Sequence, residues 1–132
     1  MSTHGVTAFA VNANLGYSQA VRLGSLLFVS GQVAWDERGE VVGVGDAKAQ
    51  AEKAFANLQA VLERSGSSLD RVGKILMLAT SRDYLPILRE VRQRVFGRVG
   101  HYPASTFAVV EGLAVAELLV EVEAVALVDT NS

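Results

Sequence analysis

Glu121 and Glu123 stand two residues apart inside a run that is otherwise apolar from Leu118 to Val128. In a strand, residues i and i+2 project from the same face, so these carboxylates would share one side of one strand. Charge on a largely buried strand is costly unless it is paired or hydrogen-bonded. Such a cost marks a site or an interface. A second segment, Tyr102-Pro103-Ala104-Ser105-Thr106-Phe107, places two hydroxyls beside a proline ahead of that strand. Other chemistries drop out. Cysteine is absent, which excludes disulfides, thiolate catalysis and thiolate metal sites. His4 and His101 are isolated, without metal-ligand spacing and without a Ser-His-acid arrangement. Gly43-Val44-Gly45 precedes a helical pattern but lacks the lysine and the further glycines of a phosphate loop.

The elements that must position these residues follow from periodicity. Gln19 to Val21 and Leu26 to Trp35 read as strands, and Asp36-Glu37-Arg38-Gly39-Glu40 as a turn closed by a short strand near Val41-Val42. Asp46 to Ser65 reads as a helix with Asp46 as N-cap and Gly66 as its stop. Ala47, Ala51, Ala54, Phe55, Leu58, Val61 and Leu62 form its apolar stripe. Leu69 to Thr80 contains a strand centred on Ile75 to Ala79. A second helix follows, with Asp83 as N-cap, Pro86 in its first turn and Gly97 at its end. Thr106 to Val110 and Leu118 to Val128 are the last strands. The expected class is an α+β sandwich: one mixed or antiparallel sheet with two helices on one face. The last strand is apolar on both faces, so a second subunit is expected to cover the face the helices leave bare.

The chain has 132 residues, enough for one domain with a real core, and no linker or repeat divides residues 1–132. Half of it is hydrophobic, and a small domain that apolar hides surface in an oligomer. A net charge of -2 argues against nucleic acid as partner. Met1 to Val11 shows no charged stretch leading into an apolar signal region, and no apolar stretch is long enough to span a bilayer. A cytoplasmic protein without a membrane partner is expected.

Several motifs in order resemble the RidA/YjgF family of reactive-intermediate deaminases. They are Tyr17-Ser18-Gln19-Ala20-Val21, Ser30-Gly31-Gln32-Val33, Ala54-Phe55-Ala56-Asn57-Leu58, Gly66-Ser67-Ser68-Leu69-Asp70-Arg71-Val72 and Val120-Glu121-Val122-Glu123-Ala124-Val125-Ala126. The resemblance runs from about Tyr17 to Leu127 and implies a chorismate-mutase-like fold. It also implies a homotrimer with a barrel-like core and ligand clefts between subunits. The implied activity is hydrolysis of short-lived enamines and imines, such as 2-aminoacrylate, to a 2-oxo acid and ammonia, with no metal or organic cofactor.

The resemblance also implies roles. Glu121 matches the cleft glutamate that orients or activates water. Ser30 and Gly31 match positions that meet the ligand, Tyr17 matches a wall of the cleft, and Thr106 offers it a hydroxyl. The family's carboxylate-clamping arginine is absent: one alignment puts Ala104 in its place, the other Ser105. Arg89 lies near an asparagine of active relatives. Arg89 or Arg92 is the candidate substitute, because a guanidinium fork matches a carboxylate. Two other functions fit the same resemblance: a trimer that binds a small carboxylate or other metabolite without turnover, and an RNA-directed role as ribonuclease or translation inhibitor.

Overall fold

Buried residues alternating with more exposed ones, most regularly along the last strand, build the sheet. The computed structural model describes residues 6–12 and 14–129. Its strands are β1 (Val6–Asn12), β2 (Tyr17–Leu23), β3 (Leu26–Gln32), β4 (Val72–Ala79), β5 (Ala104–Val109) and β6 (Val120–Leu127), in the sheet order β1-β2-β3-β6-β4-β5. Neighbours are antiparallel except β4 and β5, which run parallel. A parallel pair needs a crossover, and helix α2 (Leu85–Gly97) supplies it. With helix α1 (Ala47–Arg64), the class is the expected α+β. No helix among the described residues is long and apolar enough to cross a membrane.

On β6, Val120, Val122, Ala124 and Ala126 are buried, while Glu123 and Leu127 are exposed and Glu121 and Val125 half-buried. The buried set meets the apolar stripe of α1. Asp46 caps α1 by accepting from Ala49 N at 3.0 Å, and Gly66, at φ +85°, turns the chain out of it. Phe55 of α1 and Phe96 of α2 pack edge to face with ring centroids 6.3 Å apart. Gln50 is the polar member of the α1 stripe and is fully buried. Its Nε2 donates to Gly43 O (3.1 Å) and Glu117 O (2.9 Å), and its Oε1 accepts from Leu119 N (2.8 Å). That staple fixes the segment leading into β6, and therefore the start of the strand that carries Glu121.

The opposite face is bare. Val21 pairs with Phe28 and Leu23 with Leu26 across β2 and β3. Phe28 pairs with Val125 and Leu26 with Leu127 across β3 and β6. Leu23, Leu26, Phe28 and Leu127 are exposed there, as the both-faces-apolar reading of the last strand required.

Four local expectations change. No strand forms at Val41-Val42. Asp36 Oδ1 accepts from Arg38 N and Glu40 N, both at 2.9 Å, and this tight turn leaves only an isolated bridge between Trp35 and Val41. β3 ends at Gln32 rather than Trp35, because its register with β6 shifts between Val29 and Gln32. Asp83 is not the cap of α2. It lies in a 3-10 turn, Arg82–Tyr84, whose own cap is Ser81, and Tyr84 precedes α2. β1 was not anticipated: it is an edge strand that pairs, among the described residues, with β2 alone. His4, isolated in the sequence, lies outside the described residues.

Candidate functional site

The bulge in β3 brings two of the expected site residues together. Gly31 lies within it, beside β6. A Cβ built on Gly31 would stand 2.7 Å from Glu121 Cδ and 3.1 Å from its Cγ. The Glu121 carboxylate therefore occupies the space that any side chain at position 31 would need, and this is why glycine stands there. On its other side Glu121 is opposite Leu78 of β4. No hydrogen bond or ion pair among the described residues ties this carboxylate down. Burial raises its pKa above the ordinary glutamate range, and the like charge of Glu123 raises it further.

Two expected results check this geometry, each read from carbon-13 NMR titration of the Glu121 side chain. Glu123→Gln lowers the Glu121 pKa without returning it to the ordinary value, because burial is the larger cause. Gly31→Ala leaves the fold intact, since the clash falls on the end of a flexible side chain. It drives the carboxylate into water, so the Glu121 pKa falls toward the ordinary range. A Glu121 titration that is the same in Gly31→Ala and wild type would show that the two residues do not pack as described.

Ser30 shares the bulge, and its Oγ donates to Ser18 O at 2.7 Å. Its lone pairs stay open to a ligand. Tyr17 lies elsewhere in the single chain. It lines a recess of about 650 Å³ with Gln19, Gln32, Trp35 and Asn57, next to α1. Glu121 does not line that recess.

The Ala104-Ser105-Thr106 segment divides between the two faces of the sheet. β5 is the edge strand opposite β1. Thr106 is in register with Leu76, which pairs with Glu123, and so belongs to the bare face, where it accepts a hydrogen bond from Lys74. Ala104 alternates with it on the same side. Ser105 is in register with the buried Ile75 and points to the helix side. There Arg92 of α2 donates to Ser105 Oγ at 2.9 Å. Arg89, Arg92, Gln93, Tyr102, Pro103 and Ser105 line a cleft of about 560 Å³ between α2 and β5.

Of the two candidate positions for the missing arginine, only Ser105 opens on this cleft, and a guanidinium from the neighbouring helix reaches it. Gln93 was not singled out from sequence, and Tyr102 was noted only as the start of the segment running to Phe107. The available signal was spacing: residues 89, 92 and 93 share one face of a helix. Arg89 and Arg92 thus join Ser105 in one group, and Glu121, Ser30 and Gly31 form another. No metal-binding cluster of His, Cys, Asp or Glu occurs among the described residues.

Residues 7–128 match the family model described as endoribonuclease L-PSP. A RutC family protein of Pyrococcus abyssi is 36% identical over 111 residues, covering 83% of this chain and 84% of its own. A 2-iminobutanoate/2-iminopropanoate deaminase of Dermatophagoides farinae is 29% identical over 117 residues, covering 86% of each chain. The structure of a Rid family protein from Yersinia pestis superposes with a TM-score of 0.81 at 26% identity, covering 96% of each chain.

Proposed function

The chain belongs to the endoribonuclease L-PSP family, in which the RidA/YjgF proteins fall, and from that premise we propose that it hydrolyses small enamines and imines of the 2-aminoacrylate type to 2-oxo acids and ammonia. The observation that carries the reading is the Glu121 carboxylate. It is raised in pKa, free of protein donors and packed against a glycine that leaves room for it. A carboxylate poised in this way takes a proton from water as the oxygen attacks the imine carbon. The carbinolamine that results carries the former water oxygen and the nitrogen on one carbon. Glu121 returns that proton to nitrogen as the carbinolamine forms and then carries the hydroxyl proton to the amino group, so that ammonia leaves as the oxygen's electron pair closes the C=O bond. Ser30 and Gly31 flank the water. Arg92 holds the substrate carboxylate from the position that Ser105 leaves uncharged. No metal or organic cofactor enters this scheme.

Within one chain the base and the clamp lie in separate groups. The proposed assembly is therefore a homotrimer with sites between subunits, Glu121, Ser30 and Gly31 coming from one copy and Arg89, Arg92 and Ser105 from its neighbour. The exposed apolar residues Leu23, Leu26, Phe28 and Leu127 support an assembly in which the bare face is covered by other copies.

A trapping assay tests the reaction. Imines are generated in place by an amino-acid oxidase or a serine dehydratase, and semicarbazide captures what is not hydrolysed. Less adduct with the protein present supports deamination. Unchanged adduct for every imine, with ligand still bound, supports the non-catalytic binding protein instead.

A further inference from the structure

The cleft between α2 and β5 holds more positive charge than one carboxylate requires. The charges of α2 fall into two sets. Glu90 pairs with Lys48 of α1 at 3.3 Å, and Arg94 pairs with Glu52 of α1 at 2.7 Å. Arg89 and Arg92 make no ion pair among the described residues, and none of the six cleft-lining residues is acidic. Two guanidiniums one helical turn apart repel each other when nothing negative lies between them. An isolated surface arginine is simply solvated, but here the pair lines a concave space. Arg92 is half-buried and fixed by Ser105, and the ring of Tyr102 stands nearby.

We infer that the substrate class is dianionic: a 2-imino acid with a second carboxylate on a short side chain, Arg92 taking the first carboxylate and Arg89 the second. The inference rests on the reading of Arg92 as the carboxylate clamp. Planar forks of donors meet two planar carboxylates, so specificity resides in the spacing of the two arginines on the helix. The side of the cleft that receives the longer end of the substrate is then the side of Arg89.

Calorimetric binding of stable 2-oxo acids tests this without depending on turnover. The probes are 2-oxobutanoate, with one carboxylate, 2-oxoglutarate, with two, and inorganic phosphate. The expected result is about tenfold or greater preference for 2-oxoglutarate over 2-oxobutanoate. That ratio falls toward one in Arg89→Gln, whereas Arg92→Gln weakens both acids. Equal affinities in the wild type, an unchanged ratio in Arg89→Gln, no binding of either acid, or phosphate binding as tightly as 2-oxoglutarate would each overturn the inference. Selective binding of 2-oxoglutarate without hydrolysis of any imine would retain the dianion and remove deamination. Hydrolysis of monocarboxylate imines without preference would do the reverse.

Discussion

Glu121→Gln is expected to lower kcat/KM for imine hydrolysis by about 10²- to 10⁴-fold, the range associated with a positioned general base. The substitution keeps the shape of the side chain, so its packing against Gly31 and Leu78 is kept. What it removes is the ability to take a proton. The same variant is expected to be at least as stable as the wild type at neutral pH. The pKa of Glu121 is raised in the folded protein, so the folded state binds the proton more tightly than the unfolded chain does. The ionised form therefore costs stability above the folded pKa, and the cost disappears as pH falls below the ordinary glutamate range. Glutamine removes it at every pH. A thermal melt and a rate measurement on one sample separate the roles. Lost activity with unchanged or raised Tm fits a base, and lost stability fits a carboxylate that held the structure together.

Arg92→Met is expected to lower kcat/KM by roughly 10- to 150-fold, from the 1.5–3 kcal/mol that a hydrogen bond to a charged group contributes. The loss should appear mainly in KM if the arginine holds substrate and transition state alike. Lysine in its place should restore little, because a point charge cannot reproduce two parallel N–H bonds to a carboxylate. The hydrogen bond from half-buried Arg92 to Ser105 is exposed to solvent, so Tm should move little. The decisive variant is the double substitution Arg92→Met with Ser105→Arg. It moves the guanidinium to whichever of the two alignment positions opens on the cleft, Ser105, and part of the lost kcat/KM should return. No effect of Arg92→Met on any substrate would assign this arginine to the solvated surface of α2.

Much of the architecture was written in period and punctuation. The α1 stripe, its Asp46 cap and the two faces of β6 could be read directly, because core burial and capping are local rules that few residues override. The edge was harder. β1 is held by pairing to β2, and pairing is a property of two segments rather than one. The Asp36 turn imitated a hairpin because Asp36 satisfies the backbone that a second strand would have satisfied.

The site divides in the same way. Glu121 was legible as a charge in an apolar run. Its closeness to Gly31 depends on a register shift in β3, which no spacing in the sequence announces. Arg89 and Arg92 were candidates on a helix, but their meeting with Ser105 and Tyr102 depends on the crossover that lays α2 beside β5. Gln50 drew no notice in the sequence, yet its hydrogen bonds set the start of β6.

The central claim is a site shared between copies of the chain, with Glu121 from one and Arg92 from the next. Co-expression of Glu121→Gln and Arg92→Met subunits carrying different tags, followed by purification of the mixed assembly, tests it directly. Each variant alone is expected to be nearly inactive. In a mixed trimer of either composition one of the three interfaces pairs an intact Glu121 with an intact Arg92, so roughly a third of the wild-type activity should return around a closed ring. Activity no higher than that of the two parents would contradict the shared site.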